Sequence, residues 1–145
     1  MKSMKILIAD DDEDDRMVFV DALSEVKMKT QVSEVTDGLE LLEHLEGLDS
    51  YPDLIFLDIN MPRMNGIQCL EEIKKRPEYK SISVAIYSTS GAERDIEETF
   101  VRGANVYIRK PGDFASLEKV LEEVLSINWQ FHTSGLNKET FLLNV

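Results

Sequence analysis

Carboxylates dominate the residues that could do chemistry. Asp10, Asp11 and Asp12 stand in a row after the apolar run Ile6-Leu7-Ile8-Ala9, and Asp58 follows a second such run, Leu54-Ile55-Phe56-Leu57. Ser88 and Lys110 close two more runs, Val84-Ala85-Ile86-Tyr87 and Val106-Tyr107-Ile108. If the first two runs lie side by side their carboxylates meet, and like charges about 4 Å apart repel by ~4 kcal/mol at an effective dielectric near 20. A protein keeps such a cluster where a hard cation sits in it. Mg²⁺ fits, because it takes oxygen ligands, keeps several waters and binds one or two carboxylates together with a phosphate. A lysine facing those acids serves as a counter-charge or as a clamp on a phosphoryl group. A serine hydroxyl can donate to an oxyanion. Each residue also has a plainer reading when taken alone. Asp12 to Asp15 suit a solvated acidic helix start, Lys110 a surface lysine and Ser88 an ordinary strand-end serine. Their placement at the ends of four separate apolar runs is the specific signal.

The elements that must position these groups follow from periodicity. Continuous apolar runs mean burial on both faces, as in a parallel sheet. The remaining run, Gln31 to Val35, mixes Val32 and Val35 with Gln31, Ser33 and Glu34, which suits an edge strand with one wet side. Amphipathic helices lie between the runs. Phe19, Val20, Leu23 and Val26 share one face, as do Leu41, Leu42 and Leu45, then Ile67, Leu70 and Ile73. Ile96 and Phe100 mark a fourth helix that Gly103 can end, and Pro77 lies just beyond the third. Asp113 is placed to cap a fifth, built on Leu117, Val120, Leu121 and Val124. Strand–helix alternation five times over predicts an α/β fold, a (βα)5 doubly wound parallel sheet with right-handed crossovers. Periodicity leaves the strand order open. In such sheets ligands bind beyond the carboxyl ends of the strands, where Asp10, Asp11, Asp58, Ser88 and Lys110 fall.

Composition narrows the partners. The chain has 145 residues, 28 acidic and 16 basic, for a formal charge of −12. That balance excludes nucleic acid and anionic membrane surfaces, which are held by Lys/Arg patches. The length suits one domain, expected over residues 1–127, followed by a tail over 128–145 with no separate output domain. The tail carries Trp129, Phe131, Phe141, Leu142 and Leu143, too apolar to stand free in water; it packs either on its own domain or on a second copy in a homodimer. The single Cys69 rules out an internal disulfide framework and reads as a small core residue. His44 and His132 have no metal-ligand or phosphoacceptor context around them. No apolar run reaches the length of a signal peptide or a membrane span, so the expected location is cytoplasmic. A nucleotide site would want Gly, Ser and Thr amides after the first strand, where this chain has an acidic loop. An EF-hand reading of Asp10, Asp12 and Asp14 fails because Asp15 stands where glycine is required.

The pattern resembles a known family. Ile6-Leu7-Ile8-Ala9-Asp10-Asp11-Asp12, Asp58-Ile59-Asn60-Met61-Pro62-Arg63-Met64-Asn65-Gly66, Tyr87-Ser88-Thr89-Ser90, Gly103-Ala104-Asn105 and Tyr107-Ile108-Arg109-Lys110-Pro111 look like a response-regulator receiver domain of two-component signalling. The resemblance covers about residues 5–127. It implies the flavodoxin/CheY-like five-stranded sheet with order 2-1-3-4-5. It implies Asp58 as phosphoryl acceptor and Asp10, Asp11, Asp58 and the Asn60 backbone carbonyl as Mg²⁺ ligands. Lys110 resembles the lysine that pairs with the phosphoryl group, and Ser88 and Tyr107 the switch pair. Asn60 and Ser90 occupy the positions that tune phosphoryl lifetime. The implied partners are a sensor histidine kinase and a downstream protein target. The acidic first loop and aromatic tail look most like single-domain receivers, including those paired with phytochrome-type kinases.

The implied chemistry follows from charge. A carboxylate attacking a phosphoryl group meets an anionic electrophile, and Mg²⁺ with Lys110 offsets that repulsion. The aspartyl phosphate would draw the Ser88 hydroxyl and the 88–91 loop inward, vacating space into which Tyr107 turns. The expected role is a switch of protein–protein contacts, not an enzyme acting on an external substrate. Two other classes compete. A phosphatase of the aspartyl-phosphate type wants D-x-D at its nucleophile, and Asp58-Ile59-Asn60 lacks the second acid. A phosphorylation-independent interaction module has no need for an intact Asp58, Lys110 and acid pair.

Overall fold

A computed structural model of the chain describes residues 3–127 and 141–143. Strands β1 (Met4–Ala9), β2 (Thr30–Val35), β3 (Leu54–Leu57), β4 (Ser83–Ser88) and β5 (Val106–Arg109) alternate with helices α1 (Glu13–Glu25), α2 (Gly38–Glu46), α3 (Gly66–Lys75), α4 (Glu93–Val101) and α5 (Phe114–Leu125). A short strand, β6 (Leu142–Leu143), completes the element order. All pairings are parallel, in the order β2-β1-β3-β4-β5-β6. The expected order 2-1-3-4-5 is thus present, with one strand added at its far edge.

Side chains on a strand alternate between faces, and both faces of this sheet are covered. Leu7, Ala9, Ile55, Leu57, Val84 and Ile86 join the core that includes Leu41 and Leu45 of α2 and Leu70 and Ile73 of α3. Their neighbours Ile6, Ile8, Leu54, Phe56, Ala85 and Tyr87 join the other core, with Phe19 and Leu23 of α1 and Leu117 and Leu121 of α5. Two-sided burial is why these strands read as continuous apolar runs. β2 lies at the other edge with its residues partly solvated, as its mixed composition requires.

Side-chain caps start four of the helices. Asp12, Asp37, Asn65 and Asp113 each accept from the backbone N–H three residues on, and a cap of this type contributes about 1 kcal/mol. Helix α4 begins at Ala92 without a side-chain cap, and Thr99 is its one fully buried residue. Its partly buried Ile96 and Phe100 pack against the core shared with α2 and α3. Gly103 follows it at φ 96°, the left-handed geometry that glycine adopts without penalty.

β6 comes from the segment read as a tail. Leu142 lies opposite Tyr107 and Leu143 opposite Ile108, so the β5 edge does not stand open to other strands. Phe141 is buried, with its ring 5.3 Å from Phe100 and 6.1 Å from Tyr107, both edge-on. Of the two supports considered for the tail aromatics, Phe141 uses its own domain. Trp129, Phe131 and His132 lie outside the described residues. Among the described residues no helix is long and apolar enough to cross a membrane.

Candidate functional site

The register of the central strands builds the site. Ala9 pairs with Leu57, and the Asp58 N–H donates to the Ala9 carbonyl at 3.0 Å. Asp10 and Asp58 therefore leave the sheet side by side. On the other flank the Lys110 N–H donates to the Ser88 carbonyl at 2.8 Å, which aligns the ends of β4 and β5. Oxygens of Asp10, Asp11 and Asp58 lie within 4.8 Å of one another. Asp10 is fully buried and Asp58 nearly so, while Asp11 is exposed. Three carboxylate oxygens this close together, two on enclosed residues and one on an exposed residue, match the donor set of a hard divalent cation.

Lys110 reaches into this cluster. Its Nζ donates to Asp10 Oδ2 at 2.7 Å, Asp15 Oδ2 at 2.8 Å and Asp58 Oδ2 at 3.2 Å. An ammonium has three donors, so all three are engaged by carboxylates. The Lys110 side chain is only 9% exposed and its Nζ stands 5.3 Å from the centre of the Tyr87 ring. The second oxygens of the acids are held by backbone: Asp10 Oδ1 accepts from the Asp12 N–H at 2.9 Å and Asp58 Oδ1 from the Ile59 N–H at 2.8 Å. Arg16 donates to the Asp10 carbonyl and pairs with Glu34, fixing the acidic loop from behind.

The electrostatics follow from this packing. Burial pushes the Asp58 carboxyl above the ordinary carboxylate range; Lys110 opposes the rise and the Asp10 charge adds to it. Burial works against the Lys110 ammonium, but its bonds to Asp10 and Asp15 and the Asp58 charge outweigh that cost and hold it above its usual value. An acid that resists ionisation beside a firmly cationic lysine marks a site arranged for a further charge.

Ser88, Ser90 and Tyr107 meet in the loop that follows β4. Ser88 is fully buried, and its Oγ accepts from the Ser90 N–H at 3.1 Å. The Tyr107 hydroxyl donates to the Ser90 carbonyl at 2.7 Å. Ser90 Oγ donates to Asp95 of α4 at 2.6 Å and accepts from the Ala92 N–H. Tyr107 is itself fully buried, so it occupies the inward position in this structure. A displacement of the 88–91 loop would therefore pull on Tyr107 and on α4 together. Asn60 lies exposed two residues past Asp58.

Other residues that frame the site do not stand out in the sequence. Asp15 was grouped there with the solvated helix start, yet its carboxylate is a full partner of Lys110. Arg63 carries a φ of 62°, unusual for a side-chain-bearing residue. Its guanidinium makes two bonds to Asp37, at 2.8 and 3.1 Å. These hold the Asp37 carboxyl below its usual range against the opposing effect of burial. The pair clamps the loop between Asp58 and α3. At the end of that loop, a Cβ on Gly66 would run into the Asp58 carbonyl oxygen and come 2.8 Å from the Ile59 Cα. No motif spacing announces Asp15 or the Asp37–Arg63 clamp; only the folded chain brings these partners together.

An acid trio, a buried lysine and a hydroxyl-bearing loop at the carboxyl edge of a 2-1-3-4-5 parallel sheet define a phosphoryl-receiving signalling domain. The chain belongs to the response regulator receiver domain family, whose pattern matches residues 6–122. It is similar to the chemotaxis protein CheY1 of Helicobacter pylori, at 30% identity over 125 residues, covering 86% of this chain and 99% of that protein. Among solved structures, that of the phosphorylated cyanobacterial phytochrome response regulator RcpA matches with a TM-score of 0.81 at 30% identity, over 92% of this chain and 98% of that one. The Mn²⁺-bound form of response regulator Rcp1 matches with a TM-score of 0.77 at 26% identity, over 90% of this chain and 98% of that one.

Proposed function

We propose that this receiver accepts a phosphoryl group on Asp58 from a sensor histidine kinase and converts it into altered protein–protein contacts. The observation that carries the reading is Lys110, buried and held 3.2 Å from Asp58 Oδ2, in a pocket where Asp10 and Asp11 converge on the same point. A carboxylate oxygen of Asp58 attacks phosphorus and forms the new P–O bond. The bond from phosphorus to the donor's imidazole nitrogen breaks, and its electron pair leaves with that nitrogen. Lys110 holds a phosphoryl oxygen through the transfer. Asp10, Asp11, Asp58 and the Asn60 carbonyl would hold Mg²⁺, which when bound supplies positive charge to the phosphoryl oxygens.

The Ser88 hydroxyl would then donate to a phosphoryl oxygen, and the 88–91 loop would shift toward Asp58. The Tyr107 hydroxyl bond to Ser90 and the Ser90 bond to Asp95 carry that shift to β5 and α4. Asn60 and Ser90 would set the lifetime of the phosphorylated state. The domain thereby assists its own phosphorylation and dephosphorylation and acts on no external substrate. Residues 1–127 carry this function, with 128–145 as an appended segment. The working location is the cytoplasm, and the output is a protein target or a second copy of the chain. The likeness to RcpA, a phytochrome response regulator, supports a phytochrome-type kinase as donor. Intact-mass spectrometry after incubation with Mg²⁺ and a small acyl phosphate tests the reading. One added phosphoryl group on the wild type and none on Asp58→Asn is expected; equal labelling of both would overturn it.

A further inference from the structure

We infer that Asp15 is a positioning residue that competes with the incoming phosphoryl group for Lys110 and so sets the rate at which Asp58 is phosphorylated. The inference rests on the functional reading above. All three donors of the Lys110 ammonium are occupied by carboxylates, at 2.7, 2.8 and 3.2 Å. A phosphoryl oxygen can gain this lysine only if one acceptor gives up its bond. Asp10 is fully enclosed, and its other oxygen is bound to the Asp12 N–H. Asp58 carries the reaction itself. Asp15 differs from both: its side chain is 42% exposed, so water can take over its solvation when the lysine leaves. It sits in the first turn of α1, outside the acid trio that converges on the pocket. Asp15 thus holds Lys110 in the waiting state and is the partner displaced on transfer.

This predicts an asymmetry between the two directions of the cycle. The Asp15–Lys110 bond stabilises the unphosphorylated state and must be broken on the way to transfer. Once the phosphoryl group is in place that bond is already lost, so Asp15 has little influence on hydrolysis. The charge-neutral Asp15→Asn keeps the shape and weakens the bond. In the presence of Mg²⁺ and a small acyl phosphate it should be phosphorylated about two- to five-fold faster, the range a partly exposed ion pair supports. Loss of the phosphoryl group after donor removal should stay within about 1.5-fold of wild type, since the broken bond is common to its ground and transition states.

Two controls isolate the lysine. Asp14→Asn removes the same charge from the neighbouring exposed residue and should leave both rates unchanged. In a Lys110→Met background, Asp15→Asn should have no effect, because the group it acts through is gone. Several results would overturn the inference: an unchanged or slower rate for Asp15→Asn in a wild type that is phosphorylated, an equal gain in Asp14→Asn, or an undiminished gain without Lys110. A wild type that takes no phosphoryl group at all would overturn the functional reading and this inference together, so the two failures are distinguishable.

Discussion

Removing the charge of Asp58 should stabilise the fold when no divalent cation is present. Asp58 is nearly buried, and its oxygens lie within 4.8 Å of those of Asp10 and Asp11. At that distance each like-charged pair repels by about 3.5 kcal/mol at an effective dielectric near 20, and the exposed Asp11 contributes less because solvent screens it. Lys110 attracts Asp58 across 3.2 Å, which is about 5 kcal/mol on the same scale. Attraction and repulsion nearly cancel, and the desolvation of a buried carboxylate, itself several kcal/mol for an unpaired ion, tips the balance against the charge. Asp58→Asn should therefore gain about 2 kcal/mol. Lys110 does not become an orphan, since Asp10 and Asp15 remain. The measurement is urea unfolding of both proteins in a chelator. The mutant midpoint should rise without a change in slope. Added Mg²⁺ should narrow the gap by stabilising the wild type, which keeps the full ligand set. The pH dependence has a defined sign. Asp58 keeps its proton in the folded state to higher pH than in the unfolded state. Across the window from the ordinary carboxylate pKa up to that raised value, wild-type stability falls as pH rises. Asp58→Asn lacks this component, so the two curves should converge toward acid pH. A mutant less stable than wild type in chelator would refute the reasoning, because it would mean that the Lys110–Asp58 attraction outweighs everything opposing it.

Other perturbations probe the frame around the site. Gly66→Ala places a methyl group against the Asp58 carbonyl; it should cost about 1–3 kcal/mol, read by thermal melting, and should slow phosphorylation because the loop after Asp58 must move. Phe141→Ala removes a buried ring from Phe100 and Tyr107 and should cost up to about 3 kcal/mol, with faster hydrogen exchange along the outer edge of β5. Cys69 is buried and its thiol is pushed up to about 12 by burial. It should resist alkylation at pH 8 until the chain is unfolded, when labelling becomes complete.

Much of this architecture was open to reading because its causes are local. Ile6 to Ala9 and Leu54 to Leu57 announce two-sided burial by composition alone, and the residues that end them must sit at the carboxyl edge of the sheet. Asp10, Asp58, Ser88 and Lys110 were placed that way. Strand order was not local: periodicity permits several arrangements, and the order came only from the likeness to a family. Asp15 was missed for a related reason. An acid in the first turn of a helix is already explained by the helix dipole, and nothing in the spacing shows that α1 aims it at a lysine 95 residues away. The Asp37–Arg63 clamp joins two loops in the same manner across 26 positions. β6 was hidden by its length, because two residues cannot display an alternation. Its neighbour Phe141 signalled only that the segment needed an apolar support.

Covalent trapping of the phosphorylated protein tests the central claim most directly. Borohydride reduces an acyl phosphate to an alcohol, so an aspartyl phosphate leaves a homoserine at the modified position. After incubation with Mg²⁺ and a small acyl phosphate, peptide mapping should find homoserine at residue 58 alone, and less of it at a given time when Lys110 is replaced by Met and labelling is slowed. Homoserine at Asp10, Asp11 or Asp15 with Asp58 intact would contradict the account, as would a phosphorylated protein that yields no homoserine.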